Sequence, residues 1–342
     1  MEKKILKWAT IWSMLFTIGI CAGLYMLPSV KEKIELALAM ARVQEETVIE
    51  IQESITEQEQ LNIELPENMD GRDITITNDY LTQTIYVRFA KAVEDYSNNY
   101  SVRGGSDHIA NLSYYKDGEA GVLEINLDKV CELSYSYKDG FLCMKIINPR
   151  DVYDKIVVID AGHGGKMPGA VKRGVYEKNI NLAIVKELKQ IFDEAGDKSI
   201  KVYYTRLTDV NPELEERVGL ANAVDADVFI SVHNNSSNSG LFNNEKGTLI
   251  LYSPEEGVKQ SSKRLAQICM QNVTTSAGSK DLGIVNGDNI RIVRMSEVPV
   301  SLIEVGYMTN AEEFENLQNP EYQRRVAQGI YNGIIQALEE GI

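Results

Sequence analysis

The sequence predicts an α/β protein: a three-layer α/β/α C-terminal domain with a mixed sheet, preceded by a transmembrane helix, a helical stalk and a small antiparallel β domain. Three observations carry this expectation. From residue 155 onward, short β-branched runs alternate with stretches of helical apolar spacing, the mark of strands and helices in turn. Between residues 61 and 150 the apolar period falls to two and turn residues recur. Near the N-terminus, Trp8 to Leu27 runs for about 20 residues without a charge, enough to cross a bilayer as a helix.

Lys3, Lys4 and Lys7 precede the apolar run, so the basic flank stays cytoplasmic and the remainder lies outside the membrane. The chain then divides into a tip and anchor (1–30), an acidic stalk (31–60), the β domain (61–150) and the C-terminal domain (151–342). A cleaved signal peptide, releasing a secreted protein, is the competing reading. Ala37-Leu38-Ala39 and Ala39-Met40-Ala41 have the small-residue pattern of cleavage sites, but they lie behind Lys31, Lys33 and Glu35. The stalk is rich in helix formers, and Ile34, Ala41, Val48 and Ile55 recur every seven residues. Glu45 and Gln52 interrupt the companion positions, so a full coiled-coil seam is absent and a solvated linker is the plain alternative.

The formal net charge of −15 divides into +2 over residues 1–30, −12 over 31–154 and −5 over 155–342. Such a balance argues against nucleic acid as partner and against binding anionic polymers by bulk charge.

In the β domain, Ile85, Val87 and Phe89 interleave with Thr84, Tyr86 and Arg88, and Tyr115-Lys116-Asp117-Gly118 and Tyr137-Lys138-Asp139-Gly140 read as hairpin turns. Tyr114, Tyr115, Tyr135 and Tyr137 could stack on sugars, but packing on a half-buried sheet is the more ordinary use. A two-residue turn at Asp139-Gly140 sets Cys143 opposite Ser136, which leaves Cys131 too far away for a disulfide.

The C-terminal elements follow in order. A strand at 155–161 leads through a loop to a helix at 179–195, with Ile180, Ile184, Leu188 and Ile191 on one face. Val202 to Thr205 is a strand, and Asn211 caps a helix with Pro212 at its first position. Strands at 228–233 and 247–252, a helix at 257–275 and strands at 289–295 and 300–306 come next. Asn319-Pro320 opens the last helix.

The chemistry gathers at strand ends. Val157-Val158-Ile159-Asp160-Ala161-Gly162-His163-Gly164-Gly165 carries an apolar run into glycines that bracket a histidine, and His233 ends the run from Val228. Two of only three histidines thus stand where open α/β sheets keep their chemistry. Neutral imidazole is a common zinc ligand, and a catalytic site needs three protein ligands with one open position. Glu177, at the start of the helix, could complete a His, Glu, His set. Glu304 interrupts Val300 to Tyr307, and an acid in such a run is costly unless paired or used, which makes it a candidate general base. Taken singly, a turn histidine, a strand-end histidine and a helix-start acid are ordinary features. His108 has no such support and reads as a surface loop residue.

The segments D-x-G-H-G-G, Y-E-K-N-x-N-L, S-V-H-N-N and E-V-G-Y-x-x-N, in this order, resemble the zinc-dependent N-acetylmuramoyl-L-alanine amidases of the amidase 3 family over about residues 155 to 340. The resemblance implies Zn2+ held by His163, Glu177 and His233, with Glu304 as catalytic acid/base and peptidoglycan as partner. It also names the bond, the amide between N-acetylmuramic acid and L-alanine. Ala161 departs from the proline of many members at a turn position and leaves the ligands untouched. Asp160, Arg206 and Asn234 are candidates for steadying the ligands or touching substrate, and a structural role such as turn or strand-end hydrogen bonding is the equal alternative for each. The β domain sits where some amidases carry wall-targeting β domains called AMIN, a likeness of position only. The connection 234–246 is too short for the helical plug of some members, so an open cleft is expected. A zinc peptidase cutting the stem peptide and a non-catalytic wall-binding scaffold are the rival functions.

Overall fold

The computed structural model describes residues 60–254 and 261–342. The apolar run over Trp8 to Leu27 and the stalk up to residue 59 lie outside the described residues, among which no helix is long and apolar enough to cross a membrane.

Residues 60–147 form two antiparallel four-stranded sheets. The strands are β1 (Gln60–Glu64), β2 (Ile74–Asp79), β3 (Thr84–Phe89), β4 (Val102–Arg103), β5 (Ile109–Asp117), β6 (Ala120–Leu127), β7 (Glu132–Lys138) and β8 (Phe141–Ile147), with a short helix α1 (Tyr96–Asn99). Their orders are β4-β1-β8-β7 and β2-β3-β6-β5, and both sheets bury alternate residues, among them Ile63, Val87, Leu123 and Met144, in one core. The turn after β7 has positive φ at Asp139 (51°) and Gly140 (81°), and it places Ser136 opposite Cys143 as the spacing predicts; Cys131 and Cys143 are free thiols. Tyr114 packs inward, stacked on Tyr96 at 4.8 Å, whereas Tyr135 and Tyr137 stand partly exposed on the edge strand β7, their rings edge to face at 6.1 Å and Tyr137 laid against Gly71.

The second unit is built on β9 (Lys155–Ala161), β10 (Val171–Lys172), β11 (Val175–Tyr176), β12 (Ile200–Tyr204), β13 (Val228–Asn235), β14 (Thr248–Tyr252), β15 (Asp281–Asn286) and β16 (Val300–Tyr307). Six of these make a sheet of order β12-β9-β13-β16-β14-β15. The first four run parallel, and β14 turns antiparallel to β16, so the sheet is mixed as expected. On one face lie α2 (Glu177–Ala195), α4 (Ser261–Ala277) and α7 (Pro320–Glu339); on the other lie α3 (Leu214–Ala223) and α5 (Arg291–Met295), while α6 (Ala311–Leu317) follows β16. Burial on both faces explains why β9 reads as a continuous apolar run: Val157 and Ile159 pack toward α2, Ile156 and Val158 toward α3.

Two elements differ from expectation. The strand expected at 289–295 is the short helix α5, whose adjacent Ile292 and Val293 are both buried, and the edge strand is instead β15. Its alternation is broken by Gly283 and most of it is partly exposed, so it lacks an apolar signature. The helix expected to start at Pro212 begins at Leu214, because Glu213 and Glu216 form a reciprocal capping box two residues further on.

The two units share a core: Val130, Tyr80 and Leu81 pack with Ile156 and Val158. Glu132 on β7 accepts hydrogen bonds from the Tyr203 hydroxyl, from Tyr80 Oη at 3.2 Å and from Lys201 Nζ at 3.2 Å.

Candidate metal centre

Three ends of the fold meet at the carboxyl edge of the sheet. His163 stands just past β9, Glu177 is the first residue of α2, and His233 lies near the end of β13. One ligand atom from each falls within 4.8 Å of the others. Glu177 Oε1 lies 3.1 Å from His163 Nε2 and 3.0 Å from His233 Nδ1, and the imidazoles meet edge to face with centroids 4.7 Å apart.

Backbone geometry makes the approach feasible. His163 has φ 60°, a left-handed conformation that is costly for a non-glycine residue and that clusters at functional sites. A Cβ on Gly162 would lie 2.2 Å from His233 Nε2, and one on Gly169 would lie 2.4 Å from Glu177 Oε2. Both positions must therefore be bare for the rings and carboxylate to close in.

Glu177 is almost wholly buried, and its Oε2 accepts from the Ala170 N–H at 2.8 Å. Its Oε1 accepts from the Asn234 N–H at 3.1 Å and from Asn181 Nδ2 at 3.3 Å. Burial alone would raise this carboxyl, but hydrogen bonds and charge from His163 and His233 win and hold it well below the usual range. Burial likewise disfavours His233 as a cation, and the neighbouring Glu177 reverses the direction and raises it.

Glu304 is on β16, directly across the ladder from His233. Its Oε2 is enclosed and has no hydrogen-bond partner among the described residues, and burial pushes the carboxyl up to about 7. The four residues singled out from the sequence thus stand in one place.

The three supporting candidates divide. Asn234 does steady a member of the set, through its N–H on Glu177 and its Nδ2 on Asn181 Oδ1 at 2.7 Å. Asp160 touches neither imidazole: it accepts from Thr205, Ser231 and Arg217 instead. Arg206 is buried, so it does not meet substrate; it donates to the carbonyls of Ala161, Gly162, Lys178 and Thr208 and fixes the loop around His163. Two residues escaped the sequence reading. Arg217, fully buried, donates to His163 O at 2.7 Å while paired with Asp160, and Asn181 joins Glu177, Gly162 O and Asn234. Asn181 had a signal, since a polar side chain beside Ile180, Ile184 and Val185 falls on the buried face of α2. Arg217 had none.

The side chains of His163 and His233 keep 28% and 18% exposure, so the set opens to solvent on one side. Between β13 and β14 the chain forms turns and no helix. Two imidazoles and a carboxylate with an open flank suit a zinc ion that must also meet substrate.

Residues 157–336 match the family model Amidase_3, described as N-acetylmuramoyl-L-alanine amidase. The chain is similar to the protein YqiI of Bacillus subtilis (strain 168), with 35% identity over 192 residues, 56% of this chain and 88% of that protein. It is similar as well to the N-acetylmuramoyl-L-alanine amidase LytC of the same organism, with 29% identity over 54% of this chain and only 36% of LytC. Among solved structures, an N-acetylmuramoyl-L-alanine amidase from Clostridium difficile 630 aligns at 34% identity with a TM-score of 0.50, covering 54% of this chain and 97% of its own.

Proposed function

Because the chain belongs to the N-acetylmuramoyl-L-alanine amidase family Amidase_3, we propose that it cleaves peptidoglycan by zinc-dependent hydrolysis of the amide between N-acetylmuramic acid and L-alanine. His163, Glu177 and His233 would hold the ion. Bound there, zinc supplies Lewis acidity, polarising a carbonyl and making water acidic enough to attack near neutral pH. Asn181 and Asn234 keep Glu177 aimed at both imidazoles, and Arg206 and Arg217 fix the loop that carries His163.

Glu304 moves the proton. Its carboxylate takes a proton from the attacking water as the new C–O bond forms, then gives it to the nitrogen of L-alanine as the C–N bond breaks. In the metal-free protein burial lifts this carboxyl above the usual carboxylate range, the direction that suits both halves of that transfer. The observation that carries this reading is the convergence of the His, Glu, His set beside an acid with one oxygen unpartnered among the described residues.

Mass spectrometry of digested sacculi tests it: intact stem peptides beginning with L-alanine are expected. Peptides cut internally would favour a stem-peptide peptidase, and a zinc-loaded protein that leaves sacculi uncut would favour the scaffold. His233→Ala should lose both bound zinc and activity. The apolar run from Trp8 to Leu27, with its basic flank, anchors the chain in the membrane and puts the enzyme on the wall side. Fractionation of cells expressing the full chain checks this, and a soluble product lacking residues 1–41 would replace anchoring with secretion.

A further inference from the structure

The segment between the His163 turn and Glu177 is basic, although the chain as a whole is acidic. From Gly164 to Tyr176 it carries Lys166, Lys172 and Arg173 and no acid, in a protein of formal net charge −15. It ends in the β10–β11 hairpin, whose register pairs Val171 with Tyr176 and Lys172 with Val175. Residues opposite one another in an antiparallel pair share a face. Lys172 and Val175 therefore face inward, Val175 against the core, while Val171 and Tyr176 are 52% and 41% exposed. The base of the hairpin is tied to the metal set by the Ala170 N–H on Glu177 and the Glu177 N–H on Ala170 O.

At the tip stand Arg173 and Gly174, with φ of 49° and 81°. Two positive φ values in a two-residue hairpin favour Asn-Gly, so an arginine here is a backbone cost that its charge must repay. Its guanidinium lies 4.7 Å from the Phe242 ring centroid, and Lys172 Nζ lies 4.1 Å from the same centroid while donating to Gly240 O at 2.6 Å. Phe242 is itself braced edge-on by Phe314 at 5.8 Å. Two cations are thus gathered on one ring, and among the described residues neither is in an ion pair with a carboxylate.

Resting on the amidase reading, we infer that Arg173 and Lys172, gathered on the Phe242 ring, form a carboxylate-binding lip that recognises the free acid groups of the stem peptide. The chemistry of the substrate selects the peptide side, because the lactyl carboxyl of muramic acid is consumed in the scissile amide and the sugars are uncharged. Reach agrees. Arg173 is four residue steps from Glu177, which caps their Cα separation at about 14 Å, and each extended peptide residue spans about 3.5 Å. A carboxylate two to four residues beyond the cut falls within the lip.

The test compares two N-acetylmuramoyl peptides on the purified full chain, one with free stem carboxylates and one with the same groups as carboxamides. The wild type should prefer the free acids about fivefold, expressed in KM and weakened by salt. Arg173→Asn with Lys172→Gln should erase the preference with kcat kept. Folding is safeguarded because asparagine suits the left-handed tip better than arginine. Arg173→Glu should invert the preference. Equal KM for both substrates in the wild type, or a preference surviving in the double variant, overturns the lip. Inhibition by poly(glycerol phosphate) that depends on Arg173 and Lys172, without any carboxylate preference, would assign the lip to phosphate polymers and overturn it too. Failure of the amidase reading is distinct: the wild type would then cleave neither substrate, and both inferences would fall.

Discussion

Asp160 and Glu304 each set one acid in an apolar strand, on opposite neighbours of β13, and the protein treats them in opposite ways. Asp160 lies beside Ser231 and Glu304 beside His233, two residues further along the same strand. Asp160 accepts from Thr205 Oγ1 at 2.6 Å, Ser231 Oγ at 2.6 Å and Arg217 Nη1 at 2.7 Å. Burial works against its ionised form, but Arg217 and the two hydroxyls outweigh it and hold the carboxyl down at about 2. Glu304 has an enclosed oxygen with no partner among the described residues, and burial raises it to about 7. A buried carboxylate with both oxygens hydrogen-bonded is structural, whereas one left short of partners is poised to exchange a proton.

The largest effect expected from this contrast is at Glu304. Glu304→Gln should cut turnover by about a thousandfold, the scale of general acid/base catalysis, while bound zinc and melting temperature hold. Muropeptide release measured by chromatography reads the rate, and a variant within tenfold of wild type would end the assignment. Asp160→Asn should do the reverse. It leaves the fully buried Arg217 without a counter-charge, so urea unfolding should show a loss of about 3 to 5 kcal/mol, with any fall in activity tracking the unfolded fraction. Wild-type stability in that variant would break the comparison.

The same contrast sets the pH response. Asp160 has a folded value below its unfolded one, so its stabilisation is present above pH ~4 and is lost as pH falls toward 2, about 2 kcal/mol in all. Glu304 runs the other way in the chelator-treated protein. Its folded value is raised, so the unfolded chain sheds its proton first and stability declines as pH climbs from about 4.5 to about 7. Urea midpoints at pH 5 and pH 8 should differ in the metal-free wild type and differ less in Glu304→Gln, where the raised His233 still loses its proton in the same window. Equal midpoints in the wild type would show that Glu304 is not held up by burial.

Residues whose use leaves a mark on local pattern were legible. Glu304 interrupts an apolar strand, His163 sits among glycines, and His233 ends a β-branched run, so all three stand out before any fold is known. Asp160 also interrupts an apolar strand, and the structural alternative is the one it fills, by holding Arg217; what separates the two acids is the set of partners brought by other elements. Arg217 looked like any arginine on a short helix, and only the docking of α3 under β9 buries it. The edge strand β15 was hidden for a related reason: an edge pairs on one side only and is half solvated, so its sequence need not alternate. The helix α5 misled because its buried Ile292 and Val293 are β-branched.

The smallest predicted effect asks whether a neutral group can do for Glu177 what hydroxyls and a guanidinium do for Asp160. Asn181 is wholly buried, and its Nδ2 is shared between Gly162 O at 3.0 Å and Glu177 Oε1 at 3.3 Å while its Oδ1 takes the Asn234 amide. Removing it leaves Glu177 with its backbone donors and both imidazoles, so the set should loosen without collapsing. Asn181→Ala should weaken zinc about tenfold, the usual cost of losing a group that orients a ligand, as read by competition with a chromogenic chelator. Unchanged zinc affinity with a lowered melting temperature would reduce Asn181 to packing on α2. Glu177 would then be aimed by the backbone N–H groups of Ala170 and Asn234 alone.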